Sequence, residues 1–186
     1  MKTTTNLKKL VSRKALTTMS VAIVIASFVM TTVWQIPQAI ATSLEEIKET
    51  REISPPVDKV WTIVSDLDNE TKYWTMVKAI KNINKTDNTV EREVTIGVGP
   101  QDAKTHQFVT INPEQKTIQT NITEGPVTGS RVLALSSVPD NNTTKIDVLW
   151  NIDLSGIPVF AQGFAKDNFM KTTQEALNRI AVQAVK

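Results

Sequence analysis

Apolar and polar residues alternate along much of the second half of the chain. The alternation is clearest in segment 144–154, whose apolar side chains share one face: Ile146, Val148, Trp150, Ile152 and Leu154. A period of two predicts a β-strand with one buried face. Five earlier predicted strands are also followed by Gly, Pro, Asn or Asp residues that suit turns, namely 75–83, 89–98, 104–111, 117–124 and 127–138. With a more polar first strand at 43–53, the pattern predicts seven strands.

A helical period appears directly after the first predicted strand. The apolar residues of segment 55–66 recur at spacings of three and four and share one helical face: Val57, Val60, Trp61 and Val64. Ser54 and Pro55 suit the start of this helix, as a capping residue and as the first helical residue. A short second helix is predicted at 69–74. The chain therefore places two short helices between the first and second strands.

The chain ends in a long predicted helix, 157–185. Its apolar stripe consists of Phe169, Thr173, Leu177, Ile180 and Ala184. Phe160 and Phe164 do not fall on this stripe if the helix is straight, so we expect a separate turn or a kink before Gly163. The two phenylalanines would then face a cavity or its entrance.

The first 41 residues have the order of a secretory signal. Five basic residues and no acidic residue lie within 1–14, an apolar run follows at 21–30, and Ala-Ile-Ala at 39–41 supplies small residues for cleavage. The alternative is an uncleaved membrane anchor, since 15–36 is about long enough to span a bilayer, which takes roughly 20 residues. In both cases the basic end stays in the cytoplasm. We therefore expect a signal peptide or anchor at 1–41 and one exported, extracytoplasmic domain at 42–186, secreted or tethered to the membrane.

Charge and cysteine content limit the function classes. The full chain has a net charge of +2, but without the five basic residues of the leader the rest has 16 basic against 19 acidic residues. This mild acidity gives no electrostatic footprint for nucleic acid, so we expect no nucleic-acid partner. There is no cysteine, which excludes disulfides, thiolate metal sites and a cysteine nucleophile.

The order strand, two helices, six strands and a long helix resembles the helix-grip fold of the SRPBCC superfamily, specifically its START-like and polyketide cyclase/dehydrase-like members. The residues that carry the resemblance are Pro-Pro-Val-Asp-Lys-Val-Trp-Thr-Ile-Val-Ser-Asp-Leu-Asp-Asn-Glu-Thr-Lys-Tyr-Trp at 55–74. They are similar to the family's opening pattern of Pro, Val-Trp, Asp and a following Trp, and the last helix adds a weaker match. The resemblance implies an α+β fold in which a curved seven-stranded antiparallel sheet wraps around the C-terminal helix and encloses a cavity for an apolar ligand.

Arg92 stands out within the predicted strand 89–98. It shares a face with Val90, Val94 and Ile96, and this face is expected to look into the concavity of the sheet. A buried guanidinium needs a partner, and a ligand carboxylate or phosphate is one. The alternatives are a bulge that turns Arg92 outward, or pairing with an acidic side chain of the protein.

Aromatic residues mark the rest of the expected cavity. Tyr73 and Trp74 end the second helix near one rim, and Trp150 lies on the apolar face of the last strand. Such residues pack in the core of a protein more often than they contact a ligand. The candidate cavity residues are Tyr73, Trp74, Arg92, Val94, Ile96, Val148, Trp150, Phe160, Phe164 and Phe169.

Catalytic and metal-binding patterns are weak. His106, the single histidine, falls on the strand face opposite to Gln107 and is expected to be exposed. Asp66, Asp68 and Glu70 have the spacing of a calcium loop, but its sixth and twelfth positions lack the required Gly and Glu, so a solvated helix end is the better interpretation. We predict no metal site, no cofactor and no catalytic residue.

Three functions fit these observations. The first is an exported or tethered domain that binds or carries an apolar or amphipathic, lipid-like molecule. The second is an enzyme that resembles polyketide cyclases, although no acid and base pair is recognisable. The third is a non-catalytic envelope module whose core is filled by its own side chains. Membrane contact would occur through the N-terminal segment if it is not cleaved.

Overall fold

The structure is a computed structural model that describes residues 44–98, 101–139 and 142–186. The predicted signal peptide or anchor at 1–41 lies outside the described residues. Two helices, one short 3-10 helix and seven strands form the described part. The helices are α1 (Val57–Val64), the 3-10 helix (Leu67–Lys72) and α2 (Val159–Ala184). The strands are β1 (Glu45–Ile53), β2 (Val77–Lys85), β3 (Thr89–Val98), β4 (Gln101–Asn112), β5 (Thr117–Glu124), β6 (Thr128–Val138) and β7 (Thr143–Asp153).

The seven strands form one sheet in the order β1-β7-β6-β5-β4-β3-β2, and every neighbouring pair is antiparallel. From β2 to β7 each strand pairs with the next in the chain, so short turns suffice to connect them. Strand β1 closes the order by pairing with β7. The predicted α+β helix-grip class is confirmed, including the two short helices after β1.

Strand β7 shows the predicted alternation. Its buried residues are every second one, from Thr144 through Ile146, Val148 and Trp150 to Ile152. This face lies against α2, where Trp150 Nε1 donates a hydrogen bond to Thr173 Oγ1 at 3.0 Å. The core therefore forms between the sheet and the last helix.

Helix α2 buries the predicted stripe but differs at its start. Phe169, Thr173, Leu177, Ile180 and Ala184 are all buried. The helix runs without interruption from Val159 to Ala184, so the separate turn expected before residue 163 is not formed. No helix in the described part of the chain is both long and apolar enough to cross a membrane.

The start of α1 was predicted two residues too early. The helix begins at Val57, preceded by Pro56, and no side chain caps it. The backbone oxygen of Pro56 instead accepts hydrogen bonds from the amides of Lys59 and Val60, at 3.1 and 3.3 Å. Ser54 is therefore not the capping residue, because the Pro-Pro pair moves the helix start past it.

Candidate functional site

Three charged side chains meet inside the fold. Glu70 comes from the 3-10 helix, Arg92 from β3 and Arg131 from β6. Their exposed fractions are 5%, 1% and 5%. Strand alternation explains both arginines, since Arg92 shares the inner face of β3 with Val94 and Arg131 shares that of β6 with Leu133. We call these three residues the Arg-Glu-Arg cluster.

Glu70 contacts both arginines. Arg131 Nη2 donates a hydrogen bond to Glu70 Oε1 at 2.5 Å, and Arg92 Nη2 lies 2.6 Å from Glu70 Oε2. Burial raises the pKa of Glu70, but the charges of Arg131 and Arg92 and their hydrogen bonds outweigh it and lower the pKa to about 2. Glu70 is therefore a carboxylate at neutral pH.

Polar side chains of neighbouring strands hold the arginines in place. Arg92 Nε and Nη2 donate to Gln107 Oε1 at 3.2 and 3.0 Å, and Gln107 Nε2 in turn donates to Thr105 Oγ1 at 3.1 Å. Arg131 stacks against Trp74, with its guanidinium carbon 4.3 Å from the ring centre, which is cation–π distance. Gln107 of β4 thus fixes Arg92, and Trp74 fixes Arg131. Glu70 contacts both guanidinium groups.

The cluster is not fully compensated. Two guanidinium groups and one carboxylate leave a net charge of +1 in a buried position. Arg92 Nη1 and Arg131 Nε are buried and have no hydrogen-bond acceptor among the described residues. Unpaired buried donors are rare in native proteins and cost free energy. The site therefore has spare positive charge and two spare N–H donors, beside the carboxylate oxygen Glu70 Oε2, whose close contact with Arg92 Nη2 lacks regular hydrogen-bond geometry.

An inner cavity borders this cluster, and an outer cavity adjoins the inner one. The inner cavity has a volume of about 20 Å³, and Glu70, Arg92 and Arg131 all line it. The outer cavity has a volume of about 200 Å³ and lies between α2 and the β2–β3 region, with a mostly apolar lining. Four residues line both cavities and so form their common wall: Met76, Ile96, Val127 and Phe169.

Six of the ten predicted cavity residues line these cavities. Trp74, Arg92 and Trp150 line the inner one, Phe164 lines the outer one, and Ile96 and Phe169 line both. The other four line neither cavity. Val94 and Val148 are fully buried in the packed core, and Phe160 is 92% exposed. Tyr73 lines two other pockets, one of them together with Glu70 and Arg131. The ligand-binding role of all ten residues stays a prediction.

Glu70 and Arg131 were missed by the sequence reasoning, and Glu70 was assigned wrongly. Glu70 is not part of a solvated helix end, because the 3-10 helix turns its side chain inward toward the two arginines. Asp68, two residues earlier, does face solvent, where it pairs with Lys85 at 3.3 Å. Arg131 carried a usable signal, since it alternates with Leu133 and Leu135 as Arg92 does with Val94.

His106 lies away from the cavities. Its side chain is on the outer face of β4, with Nε2 3.1 Å from Glu91 Oε1 and Nδ1 3.2 Å from Thr123 Oγ1. The described residues contain no group of three or more side chains that could hold a metal ion. Chemically, the site offers an apolar chamber beside a positively charged polar end.

A protein-family comparison agrees with the fold. The family model described as polyketide cyclase / dehydrase and lipid transport matches residues 45–186. No curated protein matches the chain significantly.

Solved structures share the architecture at low sequence identity. A protein from Thermus thermophilus is 13% identical, with a TM-score of 0.66 over 76% of this chain and 97% of its own. The Zhui aromatase/cyclase from Streptomyces sp. R1128 is 12% identical, with a TM-score of 0.66 over 76% and 93%. A START superfamily protein from Mycobacterium smegmatis is 12% identical, with a TM-score of 0.62 over 75% and 96%. These likenesses concern the fold.

Proposed function

The chain belongs to the polyketide cyclase / dehydrase and lipid transport family, and from this membership and its two cavities we propose that it is a small-molecule binding protein. Its ligand is an apolar or amphipathic molecule, held between the sheet and the N-terminal half of α2. The observation that carries this proposal is the apolar outer cavity of about 200 Å³, which adjoins a polar inner cavity.

The outer cavity favours a ligand over a filled core. Native cores are packed at close to crystal density, with few voids larger than a water molecule. The outer cavity of about 200 Å³ is not such a void, because it opens to solvent beside Phe164, which is 69% exposed, so a ligand can reach it. Ala161 and Ala165, two small residues of the helix, line this space.

Binding is favoured over catalysis by the state of Glu70. It is the carboxylate that lines the inner cavity, and its pKa of about 2 keeps it ionised and paired with two arginines. A general acid or base works best with a pKa near the working pH. Glu70 therefore supports the positions of the arginines rather than transferring protons. The cyclase alternative would require a proton-transferring group from elsewhere.

The test is to fill the outer cavity. Ala165→Trp places an indole in the chamber, and we expect it to abolish binding of the neutral apolar dye N-phenyl-1-naphthylamine to the full-length protein. Ala79→Trp is the matched control, because Ala79 is exposed on β2 and lines neither cavity. Dye fluorescence on titration is the measurement. Equal dye binding by wild type and both variants, or no binding by wild type, would contradict the proposal.

We further propose that the domain acts outside the cytoplasm, secreted or tethered through its N-terminal segment. The support is the order of basic, apolar and small residues in 1–41. An extracytoplasmic, membrane-adjacent carrier would meet its ligand at the lipid surface.

A further inference from the structure

The ligand's chemical class follows from the charge of the inner cavity. We propose that the ligand is an amphipathic carboxylate whose head group binds Arg92 in the inner cavity while its apolar chain occupies the outer cavity. This inference rests on the proposed function and adds the identity of the polar group.

Charge balance is the first argument. The Arg-Glu-Arg cluster has a net charge of +1 and is almost completely removed from solvent. Uncompensated buried charge is costly, so a bound anion stabilises the site. A carboxylate supplies a single negative charge and neutralises the cluster. A phosphate monoester carries about −1.5 to −2 at neutral pH and overcompensates it.

Donor geometry is the second argument. Gln107 accepts hydrogen bonds from Arg92 Nε and Nη2, and Glu70 lies beside Nη2. Nη1 is the guanidinium nitrogen of Arg92 that has no acceptor among the residues described. Since Arg92 lines the inner cavity, a carboxylate there lies beside its guanidinium group and can accept a charge-assisted hydrogen bond from it. Arg131, whose Nε also has no acceptor among the described residues, lines the same cavity.

Size is the third argument. A single water needs a cavity of about 10–15 Å³, so the inner cavity of about 20 Å³ holds a small polar group and no more. The rest of an amphipathic ligand must continue into the outer cavity through the common wall. Met76 and Phe169 belong to this wall, and the unbranched thioether of Met76 adapts readily to a passing chain.

The experiment compares two probes that differ only in the head group. Isothermal titration calorimetry measures the affinity of the full-length protein for octanoate and for 1-octanol at pH 7. We expect the affinity for octanoate to exceed that for 1-octanol by about tenfold or more, because one charge-assisted hydrogen bond usually changes an affinity by this factor. Equal affinity for both probes would overturn the carboxylate inference and leave the proposed function intact. Binding of neither probe would overturn both.

Two variants change the cluster charge in opposite directions. Arg92→Met lowers it to zero, so octanoate should lose about tenfold or more in affinity while 1-octanol binding is kept. Glu70→Gln raises it to +2, so octanoate should bind more tightly than to wild type. The matched control is Arg51→Met, which removes the same charge from an exposed position on β1 and should change neither affinity. Equal losses of affinity for octanoate and 1-octanol in Arg92→Met would also overturn the inference. The comparison of the two probes on the wild-type protein does not depend on the folding of any variant.

Discussion

Replacing Glu70 by Gln tests the electrostatics of the cluster. The substitution keeps the shape of the side chain and removes its charge, as protonation does. The pKa falls from an ordinary 4.5 to about 2 in the folded protein. At 1.36 kcal/mol for each pKa unit, the ionised form contributes about 3 kcal/mol to the free energy of unfolding. The usual cost of breaking a buried ion pair, about 3–5 kcal/mol, gives a similar magnitude.

The pH dependence of this effect has a definite sign. The pKa of Glu70 is lower in the folded state than in the unfolded state, so the stabilisation is fully present above the ordinary pKa of 4.5. It declines as the pH falls from 4.5 to about 2, because the unfolded state takes up the proton at a higher pH than the folded state does. The Glu70→Gln variant should therefore be about 3 kcal/mol less stable than wild type at pH 7, and this difference should shrink toward zero near pH 2.

Urea denaturation of both proteins between pH 7 and pH 2 measures this difference. Asp68 and Asp147 also have lowered pKa values, but they are present in both proteins. Their contribution to the pH dependence therefore cancels when the free energy of unfolding of the variant is subtracted from that of the wild type. Glu93→Gln is the control: it breaks an exposed ion pair with Lys104, and such pairs contribute little. A stability difference that stays constant with pH, or one that is absent at pH 7, would show that the charge of Glu70 does not stabilise the fold.

Three further substitutions test a strained glycine, the helix propensity of α2 and a buried hydrogen bond. Gly129→Ala should destabilise the protein, because Gly129 has a φ of +127° and a Cβ there would collide with the backbone oxygen of Asn151. Gly163→Ala should instead stabilise the protein by about 1 kcal/mol, because Gly163 lies within α2 with open space around it and alanine favours a helix more than glycine does. Thermal unfolding of the two variants should shift in opposite directions. Thr173→Val should cost about 1–3 kcal/mol in urea denaturation, since it leaves the indole N–H of Trp150 buried without its acceptor; an unchanged midpoint would contradict this.

Local periodicity predicted the fold and part of the site. The alternation in β7 placed Trp150 on the buried face of that strand, and the same rule placed Arg92 on the inner face of β3. Phe169 followed from the period of the last helix. The burial of these residues follows from the spacing of apolar residues within one strand or helix. That spacing is visible in a single sequence. The family resemblance supplied the order in which the elements pack.

Glu70 could not be placed in the same way. Along the chain it continues the acidic row of Asp66 and Asp68, a pattern typical of a solvated helix end. Its burial depends on Arg131, which is 61 residues away and reaches it only after the sheet has formed. The pairing of two distant charges is a property of the tertiary fold. The volumes of the two cavities depend on the same long-range packing and left no trace in the sequence.

The most direct test of the central claim is native mass spectrometry of the full-length protein purified from its own cells, followed by organic extraction. We expect one discrete small-molecule mass bound to each chain, extractable and containing a carboxyl group. A ligand-free mass, from a protein that also fails to take up octanoate, 1-octanol and N-phenyl-1-naphthylamine, would contradict this expectation.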